Sequence, residues 1–440
     1  MARVWPVAGV TVACVRLVFR SYSASIPLIL LDSFLCPAVR LGSPINLRVS
    51  FGERRKEEVD SRQPIPKLME TMMNRRHWLG RSALAAAAMA LARVPAHGAS
   101  ARIGGGLIKL DQNENPYGIS QRTEQAIVAA MQSAHRYPRS ELAVLRDLIA
   151  EREKVPRNCV ALSAGSTEIL AHACLLFGAD GKEVLVAEPT YAGFTGYVER
   201  LNGALLWVPV NDHWETDLDR LAGRLTKNSS LVYVCNPNNP TGTMADSARL
   251  RQFCEDAAGR AIVVVDEAYY ELVEDSRRAS VVDLVRQGAN VIVSRTFSKL
   301  YGLAGLRVGY GIAKPELTAQ LLRFQSNLAP LAQLSLAAAR AAYQDVDHVA
   351  LSRERNAQAR AGFYKVLDKL GHSAIPCSQT NFVTFEPKGG AERLVASLRR
   401  DYDISVRPFQ FLGKSWVRVS MGTPEEMSRL SVAMGELQRA

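Results

Sequence analysis

Three things are missing from these 440 residues: an apolar run of about twenty residues, a CxxC cysteine pair and an internal repeat. The first absence leaves no segment with the length of a spanning helix. The best candidate, Ser82 to Ala92, reaches roughly half to two-thirds of that length, so no stable membrane span is expected. The second absence removes a zinc ribbon and a disulfide framework, and no metal site is expected. Of the seven cysteines, the five beyond residue 101 (Cys159, Cys174, Cys235, Cys254, Cys377) are scattered, several of them inside apolar runs, as small core residues are. Acid is missing from one stretch as well. The net charge is +11, but residues 1–72 carry ten Lys/Arg against six Asp/Glu and residues 73–101 carry four arginines and no acid, which leaves +3 on the rest. A charge so placed gives no argument for a nucleic-acid partner.

The acid-free stretch has an order of its own. Met73-Asn74-Arg75-Arg76-His77-Trp78-Leu79-Gly80-Arg81 is a positive region with paired arginines, followed by the small apolar run and then Pro95 and Ala96-His97-Gly98-Ala99-Ser100-Ala101. That order reads as an export signal over 73–101, and the paired arginines point to the twin-arginine machinery, with the protein reaching the periplasm already folded. A signal belongs at an N-terminus, so translation is expected to start at Met72 or Met73, and residues 1–72 read as a disordered, non-native upstream extension.

Across all 440 residues, 48% hydrophobic and 22% charged residues suit a globular chain. Leu142 to Arg152 and Glu168 to Phe177 have helical spacing. Short branched apolar runs follow at Val184 to Ala187, Leu205 to Val210, Leu231 to Cys235, Ala261 to Val265, Val291 to Val293 and Val308 to Ile312. Runs of that kind, separated by helix-length segments, predict an α/β fold with a mostly parallel, doubly wound sheet buried on both faces. After Lys314 a Leu/Ala-rich helical segment runs to about 370. Strand candidates Asn381 to Phe385 and Ser415 to Ser420 then alternate with a helix around Glu392 to Arg400, as in a smaller α+β domain. The boundaries expected are an arm over 102–135 belonging to the small domain, a large domain over 136–325 and a small domain over 326–440.

Ligands bind at strand ends in such sheets, and three consecutive strands end in reactive residues. One runs into Asn236-Pro237-Asn238-Asn239-Pro240-Thr241-Gly242, the next ends at Asp266 with Tyr269 three positions on, and the third ends before Lys299. An amine held near a buried strand end loses hydration, deprotonates more readily and can attack an aldehyde to form a Schiff base. Pyridoxal phosphate would use the whole set: Lys299 for its aldehyde, Asp266 for its ring nitrogen, Asn239 and Tyr269 for its ring oxygen. Its phosphate would find N–H groups where Ala164-Gly165-Ser166-Thr167 opens a helix, with Thr296, Ser298 and Arg307 adding hydroxyls and a cation.

Asn239-Pro240-Thr241-Gly242, Asp266-Glu267-Ala268-Tyr269 and Ser298-Lys299 with Arg307 resemble the successive motifs of the fold-type I pyridoxal-phosphate aminotransferases of class I/II. Asn113-Glu114-Asn115-Pro116-Tyr117-Gly118, Arg136-Tyr137-Pro138 and Val406-Arg407-Pro408-Phe409 are similar to the histidinol-phosphate aminotransferase branch. The resemblance covers about 105–435. It implies that Lys299 is the Schiff-base lysine and proton shuttle, that Asp266 pairs with the pyridine nitrogen, and that Gly165, Ser166, Thr167, Thr296, Ser298 and Arg307 hold the phosphate. It further implies that Tyr191 covers the ring, that Tyr137 reaches the phosphate of a neighbouring subunit in a homodimer, and that Arg418 grips a substrate carboxylate. Asn115 and Tyr117, in the arm motif, are expected to contact the substrate, and Arg407, Arg418 and Arg429 could together form a second phosphate site. Thr167 stands where that branch often has an acid.

The function expected is therefore transamination between an amino acid, or an amino phosphate such as histidinol phosphate, and a 2-oxo acid. A decarboxylase or lyase of the same fold and a non-catalytic envelope binding protein are the alternatives. An exported protein that carries a covalently held cofactor has a reason to fold before transport.

Overall fold

The computed structural model describes residues 106–439 apart from 274, 276–278 and 327–328. The expected upstream extension and export signal lie outside the described residues.

In chain order, a short strand β1 (Ile108–Lys109) leads to helices α1 (Gln121–Ala130) and α2 (Arg139–Glu153). Strand–helix alternation follows: β2 (Val160–Ser163), α3 (Ser166–Phe177), β3 (Glu183–Glu188), α4 (Ala192–Arg200), β4 (Ala204–Pro209), α5 (Leu218–Arg224), β5 (Ser229–Cys235), α6 (Ser247–Ala258), β6 (Ile262–Asp266), α7 (Val282–Arg286), β7 (Val291–Thr296) and β8 (Gly309–Ala313). Helices α8 (Pro315–Leu322), α9 (Gln333–Gln344) and α10 (Val346–Lys369) connect to β9 (Ser373–Ala374), β10 (Phe382–Glu386), α11 (Ala391–Tyr402), β11 (Ile404–Ser405), β12 (Arg407–Phe411), β13 (Lys414–Ser420) and α12 (Pro424–Arg439).

The large sheet has the order β2-β8-β7-β6-β5-β3-β4, with parallel pairing from β7 through β4. Strand β8 runs antiparallel to both its neighbours. Successive residues of a strand face opposite sides, and here that alternation divides the core in two. Val232, Val234, Val263, Val265, Val291 and Val293 pack with α2, α5, α6, α7 and α9. Leu231, Tyr233, Val264 and Ile292 pack with α3, α4 and α8. Both faces are dry, which is why the strands read as unbroken branched apolar runs. Strand β2, whose Val-Ala-Leu-Ser carries only two branched residues, lacks that signature and is an addition to the expected set.

The smaller sheet, β12-β13-β10-β9, is antiparallel. Val383, Phe385, Val417 and Val419 pack with Phe363 and Leu367 of α10, Leu398 of α11 and Leu430 and Met434 of α12. The arm joins this layer, since β1 pairs in parallel with β11 and Leu110 is buried in the same core. Core membership corrects the expected boundaries at two places. Helix α9, placed in the small domain by a boundary at 326, buries Leu336, Ala338, Ala339 and Ala342 in the core of the large sheet. Helix α1, assigned to the arm, presses Ile127 against that core too. The crossing element is α10, which at 24 residues is about 36 Å long.

Candidate active site

The carboxyl ends of β5, β6 and β7 open onto one cleft of about 660 Å³. Its lining includes Ser166, Thr167, Tyr191, Asn239, Asp266, Tyr269, Thr296, Ser298, Lys299, Arg307, Arg407 and Arg418, drawn from both sheets and their loops.

Asp266 is the last residue of β6, in register with Cys235 and Ser294. Its carboxylate accepts a hydrogen bond from the Tyr233 hydroxyl at 2.9 Å and from the Ala268 N–H at 3.2 Å. Tyr233 is held by a stacked Phe194, ring centroids 3.7 Å apart. Burial pushes the Asp266 carboxyl up to about 6, and the two hydrogen bonds oppose that rise. Sequence reading passed over Tyr233. The signal was there: a hydroxyl in the middle of an apolar run needs a buried partner.

Lys299 follows β7 in a tight turn. Phe297 is fully buried, the Ser298 N–H bonds the Thr296 hydroxyl, and the Leu303 N–H returns to the Phe297 carbonyl. The half-buried amine donates to the Gln112 carbonyl at 3.1 Å. Desolvation lowers it to about 8; the positive charges of Arg418 and Arg307 push the same way, while Glu114 and Asp266 oppose.

An anion cradle lies beside the lysine turn. Gly165, at φ 79°, precedes the first turn of α3, so Ser166 and Thr167 present a helix N-terminus. Arg307, itself left-handed at φ 52°, donates to the Ser298 hydroxyl at 3.1 Å and to the Ala304 carbonyl at 2.9 Å. A Cβ at Gly165 would collide with the Arg307 guanidinium, and one at Gly309 with the Ser166 backbone nitrogen. The two glycines thus allow the arginine and the helix N-terminus to converge.

The opposite wall comes from the small sheet and the arm. Arg418 donates to Asn239 Oδ1 at 2.6 Å and to the Asp111 carbonyl at 3.0 Å, and its guanidinium lies 5.1 Å and 5.0 Å from the rings of Phe382 and Phe409. Arg407 is its direct cross-strand partner. The Tyr269 hydroxyl accepts from Asn113 Nδ2 at 2.8 Å, and burial raises its pKa.

Residues 106–433 match the aminotransferase class I and II family. The chain belongs to that family. Among similar proteins, a histidinol-phosphate aminotransferase of Symbiobacterium thermophilum is 37% identical over 339 residues, 75% of this chain and 91% of that protein. A second, from Ralstonia nicotianae, is 36% identical over 335 residues, 74% of this chain and 88% of that one. Among solved structures, histidinol-phosphate aminotransferase from Sinorhizobium meliloti in complex with pyridoxal-5'-phosphate is 28% identical with a TM-score of 0.70, covering 76% of this chain and 92% of that one.

The cofactor of this aminotransferase is pyridoxal phosphate, and the cleft fits it. The cradle that any Cβ at Gly165 would fill suits a phosphate, Asp266 suits a protonated ring nitrogen, and an amine near 8 suits an aldehyde.

Several expected site residues stand apart from the cleft lining. Tyr137 is 71% exposed on the surface. Arg429, on α12, lines a separate depression with Asp401 and Asp403. Asn115 and Tyr117 flank a small hollow behind the lysine, where Asn115 Nδ2 bonds the Leu300 carbonyl at 2.8 Å and Arg355 lies 4.8 Å from the Tyr117 ring. Support for the site was also overlooked. On the face of the sheet away from the cleft, Arg295 is fully buried and donates to Glu153 at 2.6 Å, Glu267 at 2.9 Å and Ser280 at 2.8 Å. Glu267 follows Asp266 and Arg295 precedes Thr296, so this cluster ties together the strand ends that deliver the site.

Proposed function

We propose that this aminotransferase exchanges an amino group between a donor with an anionic end, either an amino acid or an amino phosphate such as histidinol phosphate, and a 2-oxo acid. The observation that carries the donor class is the register of Arg407 with Arg418 in the same cleft as Arg307. Like charges directly opposed on neighbouring strands repel, and an anion between them relieves the repulsion. A guanidinium meets a carboxylate or a phosphate through two parallel hydrogen bonds, and Arg418 Nε has no hydrogen-bond partner among the described residues. The names of the relatives support the amino-phosphate option.

Bound pyridoxal phosphate supplies an aldehyde and a ring that draws electrons from the substrate's α-carbon. Gly165, Ser166, Thr167, Thr296, Ser298 and Arg307 would hold its phosphate, Asn239 and Tyr269 its ring oxygen, and Tyr191 one ring face. Asp266 would keep the ring nitrogen protonated. Lys299 Nζ, with its lowered basicity, would move the proton at the substrate's α-carbon. The same reading includes a homodimer, with Tyr137 serving the neighbour's site. Its exposure, and that of Val128 and Met131 at 60% each, is what a second copy would cover. It also includes export by the twin-arginine route to the periplasm after folding, from the motif in 73–101.

Arg418→Ala is expected to raise KM for anionic donors about tenfold or more, while a primary amine without an anionic group is affected little. A variant with unchanged KM for every anionic donor would remove Arg418 from the substrate site.

A further inference from the structure

The arm segment Asp111 to Glu114 is held at the cleft by donors from three parts of the fold. Arg418 Nη2 bonds the Asp111 carbonyl at 3.0 Å, Lys299 Nζ the Gln112 carbonyl at 3.1 Å, and Asn381 Nδ2 the carbonyls of Asn113 and Glu114 at 2.9 Å and 3.4 Å. Asn113, in the left-handed region at φ 55°, is fixed on both sides. Its N–H donates to the Ser420 hydroxyl at 2.8 Å, and that hydroxyl donates to Asn113 Oδ1 at 2.9 Å. Asn113, Asn381 and Ser420 are all buried. A segment anchored at each of these residues presents its side chains as a fixed wall of the cleft.

Of the two side chains on that wall without an assigned role, Gln112 and Glu114, only Glu114 is charged. It is exposed and lines the cleft. Of the lining residues only Glu114 and Asp266 are acidic, and Asp266 is buried on Tyr233. No described residue donates a hydrogen bond to the Glu114 carboxylate or forms an ion pair with it; the Asn381 contact uses its backbone carbonyl. Its negative charge is nonetheless felt at the Lys299 amine, where it counters Arg418 and Arg307. An exposed carboxylate on the cleft wall, with no partner among the described residues, is a counter-charge for something that enters the cleft.

We propose that Glu114 is a specificity-determining residue that favours amino donors carrying a second, cationic nitrogen on the side chain. This rests on the reading that Arg407 and Arg418 take the donor's anionic end. The donor then meets opposite charges at its two ends, and a dicarboxylate donor meets repulsion at Glu114.

The test compares L-lysine with L-norleucine and L-ornithine with L-norvaline; the members of each pair share a carbon skeleton and differ only in the side-chain ammonium. With the cofactor-loaded protein, Glu114→Gln is expected to lower the cationic-to-neutral ratio of kcat/KM about tenfold in at least one pair, and Glu114→Asp to restore part of it. Ratios unchanged in both pairs, with all donors altered equally, would mean that Glu114 only balances the charge of Lys299 and would overturn the proposal. Calorimetric binding of the same amino acids to wild type and Glu114→Gln gives a second readout that does not depend on turnover. Absent turnover with all four counts against the amino-acid option of the donor class proposed above, and the binding comparison then decides the role of Glu114. Equal binding of the cationic and neutral members in both pairs counts against Glu114.

Discussion

Lys299 has the environment that an amine needs in order to react near neutral pH. Burial and two neighbouring guanidinium groups bring it to about 8, from 10.5 in water. The sign of the consequence is direct. Only the neutral amine attacks an aldehyde, so in the cofactor-free protein the rate of recombination with pyridoxal phosphate should rise with pH, reach half its plateau near pH 8, and fall about tenfold per unit below that. Arg418→Ala removes a positive neighbour and should move the midpoint upward; Glu114→Gln removes a negative one and should move it downward. Stopped-flow absorbance across pH 6 to about 10 reads all three. A midpoint that stays near 10.5 would show that the amine is solvated in the open cleft.

The strand ends are a unit because of what lies behind them. Arg295 on β7, Glu267 after β6 and Glu153 at the end of α2 form one buried ion cluster, with the Tyr270 ring 3.8 Å from the guanidinium. Removing the cation leaves two buried carboxylates facing each other. Arg295→Met should therefore destabilise the fold by about 3–5 kcal/mol, measured by urea unfolding, whereas removal of the whole cluster with apolar replacements costs much less. Equal losses in the two variants would mean that packing, rather than unpaired charge, sets the cost. Much at this scale was legible in the chain: strands β3 to β8 stood out as branched apolar runs, and the amide, carboxylate and amine followed them in order. The ion cluster was not, because alternation hides it. Glu267 and Arg295 adjoin the site residues Asp266 and Thr296 in sequence and face the other way in space. The arm was equally hidden, since Asn113 meets Ser420 across 307 positions of chain, a pairing that no local pattern reports.

For the whole molecule, helix α9 shows how composition misleads about boundaries. Its Leu/Ala-rich sequence continues that of the helices after it, yet it is buried against the large sheet, while α10 runs on to the small one. The exposed Val128, Met131 and Tyr137 set an expectation at the same scale. Sedimentation should give a dimer mass, and Val128→Glu with Met131→Glu should yield a monomer that binds the cofactor at least tenfold more weakly. A monomeric wild type with full cofactor affinity would place Tyr137 outside the site of any neighbour.

The central claim is that Lys299 holds pyridoxal phosphate and that the cleft transfers amino groups. One spectrophotometric measurement addresses it: the visible band of the purified protein with pyridoxal phosphate, followed as an amino donor is added without any acceptor. A visible band should be present in wild type and absent in Lys299→Ala, and it should bleach with one 2-oxo product formed per site as the cofactor passes to its amino form. A wild-type band that survives in Lys299→Ala, or bleaching that releases carbon dioxide in place of a 2-oxo acid, would contradict the account.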